Sequence, residues 1–262
     1  MAAETQQPDP NPEQGSNYIR IASVGRRSVG YDLKLRSEDV VAAINGAATE
    51  LDIGQFEVLM KSAIEEPVLL TIYRKGHFYE TLVPGPLGCM LEYAQPEVAQ
   101  DITEALKDHQ IYNFEEYRQF EALRNINRHV CLIDTDYSVM ATMAPALWLL
   151  YLRMWAPFAT IIATYAVSAI VHPVLFMLVY ILTSIYFHKG HLQLLRGYYL
   201  YTEHYFWMKF AAVTDKHAQE ICRRFDPKCR FDFSHVGEPE KDKNGKNGKN
   251  GMGASTPSLS EA

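Results

Sequence analysis

Between Trp155 and Phe187 the chain carries no Asp, Glu, Lys or Arg. A single helix over that run would be about 50 Å long at 1.5 Å per residue, against a bilayer hydrocarbon core of about 30 Å. Pro173 removes a backbone donor near its middle. The run therefore predicts a two-helix transmembrane hairpin turning at His172-Pro173. A shallow re-entrant or interfacial hairpin is the alternative, because each arm falls short of about 20 apolar residues. Pro145–Trp155 reads as an interfacial approach helix. Trp148, Arg153 and Trp155 before the arms, and Lys189 and Arg196 after them, form the expected membrane-interface set. Lys and Arg flank the hairpin on both sides and are missing from its turn. The positive-inside rule then puts both termini on the cytoplasmic face of the membrane and the turn away from it.

The rest of the 262-residue chain is polar enough to bring the formal net charge to −6. That balance gives no support for a nucleic-acid partner. Four scattered cysteines, Cys89, Cys131, Cys222 and Cys229, suit a reducing compartment better than a disulfide framework. Residues 1–16 read as a disordered lead without the apolar core of a secretory signal, and residues 237–262 as a Lys-, Gly- and Asn-rich flexible tail.

Residues 17–92 read as a small α+β module. Tyr18–Val24 and Asp39–Gly46 are predicted strands, the second ending in an Asn-Gly turn. Asp52–Ala63 is an amphipathic helix with Asp52 as its cap. Val68–Tyr73 and Phe78–Val83 form a hairpin about Arg74-Lys75-Gly76-His77. This order, with Glu38-Asp39-Val40-Val41-Ala42-Ala43-Ile44-Asn45-Gly46, resembles a PDZ domain. It departs from that family at Glu38, where glycine is usual, and in the short stretch between Val24 and Asp39. The resemblance implies a peptide groove and a glycine-containing loop for a partner's terminal carboxylate. Ile19, Ile21, Phe56 and Met60 are the expected groove. Leu87, Gly88 and Cys89, in Gly85-Pro86-Leu87-Gly88-Cys89-Met90-Leu91, are the expected loop of a permuted module, a plain turn being the alternative.

Residues 93–142 read as a helical connector, with Asn113-Phe114-Glu115-Glu116 opening its second helix. After the hairpin segment (143–195), residues 196–236 read as an aromatic strand–helix tail. Phe206–Val213 is the predicted strand, and Ala218–Phe225 the predicted helix behind Thr214. Residues 143–225 resemble an uncharacterised bacterial family of small membrane-hairpin proteins, on Pro145-Ala146-Leu147-Trp148, Arg153-Met154-Trp155 and Leu195-Arg196-Gly197-Tyr198.

No nucleophile elbow, zinc-protease signature, phosphate loop or dinucleotide fingerprint occurs, so no enzyme, cofactor or metal is expected. His188 and His191 with Cys222 and Cys229 offer the ligand types for a metal, but interfacial and core roles explain them more simply. The sequence thus predicts a membrane-anchored adaptor or scaffold, with a protein partner at the module and lipid at the hairpin. The alternative is an accessory structural subunit of a larger membrane complex.

Overall fold

The computed structural model describes residues 18–48, 51–64, 66–136 and 138–240; the expected disordered lead and most of the expected tail lie outside them. In chain order the elements begin with β1 (Ile19–Val24), the one-turn α1 (Val29–Asp32), β2 (Val40–Ile44), β3 (Ala47–Ala48) and α2 (Ile53–Ser62). β4 (Val68–Arg74), β5 (His77–Val83), β6 (Cys89–Tyr93) and α3 (Pro96–Lys107) follow. Then come β7 (Arg118–Arg124), β8 (Val130–Asp134), α4 (Val139–Met143), α5 (Pro145–Tyr151), α6 (Trp155–Val171), α7 (Pro173–Tyr201), β9 (Tyr205–Ala212) and α8 (Asp215–Phe225).

Local chemistry accounts for the N-terminal elements. Asn45 and Gly46 both take positive φ, as a tight two-residue hairpin turn requires, and join β2 to β3. Asp52 caps α2 through a complete capping box: its Oδ1 accepts from the Gln55 amide at 2.8 Å, and Gln55 Oε1 accepts from the Asp52 amide. Phe56 and Met60, one helical turn apart, are its buried residues.

The nine strands form one antiparallel sheet in the order β6-β1-β2-β4-β5-β9-β7-β8, with β3 beside β2. This α+β sheet corrects the expected division of the chain. Residues 93–142 are a helical connector only at their start: α3 forms, but the expected second helix is one turn of 3-10 helix at Phe114–Glu116, followed by β7 and β8, which lie in the sheet. Nor is 196–236 a separate tail. β9 inserts between β5 and β7, pairing Glu80 with Ala211 and Phe120 with Phe210, so the sheet draws on segments before and after the apolar run. In β7, Phe120 and Ala122 join the main core beside Met208 and Phe210. Gln119 is buried too, satisfied by the Leu82 amide and by Thr81. Gln119 and Glu121, the polar residues on both sides of Phe120, are both buried, and each has its own partner.

The apolar run forms α6 and α7, joined at His172, whose Nδ1 accepts from the Val174 amide and caps α7. Tyr165 of α6 meets Phe176 and Tyr180 of α7 at ring-centroid distances of 5.7 and 6.0 Å. α7 does not end near Lys189 or Leu195 as expected; it runs unbroken to Tyr201, because His188, Lys189 and Gly190 are polar or small but do not break a helix. Its far half carries Phe187, His191 and Leu195 as a buried stripe at four-residue spacing. Phe187 and Leu195 join a second core with Leu123, Ile133, Trp148 and Leu149. Among the described residues, only α7 is long and apolar enough to cross a membrane.

That packing corrects part of the expected interface set. Trp148 is a core residue, edge-on to Phe187 at 5.8 Å, rather than a lipid-facing anchor. Arg196 makes a two-point ion pair with the buried Glu121 of β7, at 2.6 and 2.7 Å, which ties α7 to the sheet. Arg153 stacks over Phe233 at 5.0 Å. Trp155 and Lys189 remain exposed.

Candidate functional site

The sheet has two ends, and the β6 end carries a distinctive set of groups. Ile21 of β1 directs its backbone to β2, donating to the Asp39 carbonyl at 2.8 Å and accepting from the Glu38 amide at 3.0 Å. Hydrogen-bonding direction alternates along a strand, so Arg20 faces β6 and pairs with Glu92. Leu91 and Tyr93 therefore turn their amides and carbonyls outward, on a side where no strand lies among the described residues. Arg20 reinforces the pairing through its guanidinium, 2.7 Å from Glu92 and 2.9 Å from Glu38.

This arrangement separates the expected groove residues. Ile19 and Ile21 cannot line a strand-adding groove, because β1 is hydrogen-bonded on both sides and both side chains are fully buried. Phe56 and Met60 are likewise floor rather than wall: they sit in the main core, against which Cys89 and Leu91 of β6 pack half-buried. Leu87 is buried as well. The groups left at the surface of this corner include Tyr93 on β6 and Ile64 just past the end of α2, each more than half exposed.

The loop Gly85-Pro86-Leu87-Gly88 immediately precedes the edge strand β6. A Cβ on Gly85 would stand 3.4 Å from Ile64 Cγ1, so the loop touches the end of α2. The Leu87 carbonyl accepts from the Gly30 amide at 2.8 Å, and the Gly88 carbonyl from the Gly25 amide at 3.2 Å. Gly88 has φ +64°, and a Cβ there would lie 2.7 Å from Ser28 Cβ, so backbone strain and contact both require glycine. These bonds clamp the loop to the turn Gly25-Arg26-Arg27-Ser28, whose two arginines are exposed. Burial pushes the Cys89 thiol up to about 11, with Asp39 adding to the effect, so it stays neutral and sets no negative charge beside the loop.

The sequence reading missed β6, Tyr93 and the arginine pair. The available signal was Gly88-Cys89-Met90-Leu91-Glu92-Tyr93, a glycine loop running directly into a strand-forming segment. Of the metal-type residues singled out in sequence, Cys222 and Cys229 lie together in the main core, whereas His191 packs beside Trp148 in the second core.

The other surface of note is α6–α7. Val167, Ile170, Val174, Leu178, Ile181 and Ile185 are all more than half exposed. The hydroxyls of Thr160, Thr164, Ser168 and Thr183 donate to carbonyls three or four residues earlier on their own helices. That internal satisfaction is what a hydrocarbon surrounding demands of polar side chains. No family model matches the chain, and no curated protein matches it.

Proposed function

We propose that this protein is a membrane-anchored adaptor that takes up an extended peptide ending in a free carboxylate along the outer edge of β6. The observation that carries this reading is the edge of β6, unpaired among the described residues and immediately following a rigid glycine loop, with Arg26 and Arg27 beside that loop. A peptide strand would complete the outward-facing backbone groups of Leu91 and Tyr93. Its side chains would lie toward Ile64 and its terminal charge toward the arginines. The PDZ resemblance gives the same polarity, loop first and binding strand second, in a permuted order. α6 and α7 would hold the sheet at a bacterial cytoplasmic membrane. As a lipid-facing pair about 25 Å deep they would fall slightly short of the full hydrocarbon thickness, which favours a hairpin that thins the bilayer around it.

The reading is tested on the full chain in detergent micelles, with an array of randomised peptides presented as free acids and as C-terminal amides. Binders are expected to lose at least tenfold in affinity as amides, and the paired change Arg26→Glu, Arg27→Glu, on exposed side chains, is expected to remove that discrimination. Equal binding of acid and amide would refute carboxylate recognition. A stoichiometric high-mass membrane complex indifferent to the arginine changes would favour the structural-subunit alternative.

A further inference from the structure

At the opposite end of the sheet, three metal-type ligands from distant parts of the chain converge. His129 lies just before β8, Cys131 is in β8, and His204 is in the turn between α7 and β9. One ligand atom from each lies within 4.8 Å of the others. We propose that His129, Cys131 and His204 form a site for a single Zn²⁺-like transition-metal ion, with a fourth position open to water.

Three observations carry this. The first is spacing. Zn–S of about 2.3 Å and Zn–N of about 2.0–2.1 Å at the tetrahedral angle put sulfur and nitrogen about 3.6 Å apart, and Cys131 Sγ lies 3.6 Å from His204 Nε2.

The second is the tautomer. His204 Nδ1 lies 2.9 Å from the Thr202 carbonyl oxygen. A carbonyl only accepts, so Nδ1 carries the hydrogen and Nε2 presents its lone pair to Cys131. A metal-binding histidine is commonly oriented in this way, by a backbone acceptor on its far nitrogen.

The third is rigidity. The His129 amide donates to Asn125 Oδ1 at 2.9 Å, and the Val130 amide to the Arg230 carbonyl at 2.8 Å. The Arg230 amide in turn donates to the Arg128 carbonyl at 2.9 Å. These bonds also bring Asp232 alongside, its Oδ1 3.3 Å from His129 Nε2, adding negative charge beside the cluster. Cys131 is buried while both histidines are half-buried, so an ion reaches the site from the histidine side. As the metal–sulfur bond forms, the thiol proton leaves to water. The mix of one soft and two borderline ligands favours Zn²⁺ or Co²⁺ over Mg²⁺ or Ca²⁺.

The test is titration of the untagged, reduced full chain in detergent with Co²⁺. One equivalent is expected to produce a thiolate-to-cobalt charge-transfer band and the visible bands of a tetrahedral ion, both removed by Zn²⁺. Cys131→Ser is expected to abolish the charge-transfer band, and His204→Gln to weaken Zn²⁺ binding at least tenfold, while Cys222→Ser changes neither. Zn²⁺ is also expected to raise the melting temperature of the unaltered chain but not of Cys131→Ser. Should Cys131→Ser fail to fold, His129→Gln, at the more open edge, must still weaken Zn²⁺ binding at least tenfold. Absence of the charge-transfer band, its survival in a folded Cys131→Ser, or unchanged affinity in His129→Gln would overturn the site.

Discussion

Asp39→Ala is expected to destabilise the protein by about 3–5 kcal/mol, the cost of leaving one member of a buried ion pair alone. For a chain of this size that lowers the melting temperature by roughly 10 °C, read by a thermal scan in detergent. Asp39 and Arg74 are both almost completely buried. Arg74 Nε and Nη2 each lie 2.6 Å from an Asp39 oxygen, and Nη2 also donates to the Lys34 carbonyl at 3.0 Å. Asp39 Oδ2 accepts in addition from the Arg36 amide at 2.7 Å. The pair thus pins the 34–38 loop, in which Lys34 and Glu38 hold positive φ, against β4. Removing the carboxylate strands a buried guanidinium over the Tyr79 ring. Arg74→Met together with Asp39→Leu is expected to recover more than half of the loss, because the burial penalty goes with both charges. A drop of less than about 1 kcal/mol in the single variant would show that water reaches the pair.

Arg196→Ala is expected to cost about 3 kcal/mol and to loosen the hold of α7 on the sheet. It leaves Glu121, whose side chain is 3% exposed, facing only Lys209 at 3.4 Å. Glu121→Leu alone should cost less, since Arg196 is about one-third exposed and can turn its charge to water. The double change, Glu121→Leu with Arg196→Leu, should be more stable than Arg196→Ala. Chemical unfolding of the three variants in one detergent measures this order. If Arg196→Ala proves the mildest of the three, the pair does not join helix and sheet in the way described.

How much of this was legible in sequence differs by element. Where one residue type has one local purpose, the reading holds: the Asn45-Gly46 turn, the Asp52 cap, the strand at 205–212 and the helix behind Thr214 all lie where the residues indicate. Sequence misleads where polarity does not mean exposure. Gln119 and Glu121 look like solvent-facing helix positions, yet each is buried against a partner about 40 to 75 residues away, and no local pattern reports that. His188-Lys189 marks the end of the uncharged run, yet charge alone does not terminate a helix, and α7 continues past its buried stripe to Tyr201. The candidate peptide edge was half visible. Gly88 announced a turn, but that β6 rather than β1 forms the edge follows from pairings between residues 19–24 and 89–93. The histidine–cysteine cluster was not visible at all, since its three members are united only by the sheet's return through β9.

The account rests on α6 and α7 lying in lipid while the sheet stays in water. The most direct measurement is spin-label accessibility on the full chain reconstituted in liposomes, with labels placed singly at Val167, Leu178 and Ile185 on the helices and at Ile126 and Met90 on the sheet domain. All five side chains are more than half exposed, so only their surroundings differ. The account predicts that the three helical labels relax faster with oxygen and are shielded from a water-soluble nickel chelate, and that the two sheet labels show the reverse. Nickel access at Leu178 and Ile185 equal to that at Ile126 would contradict it.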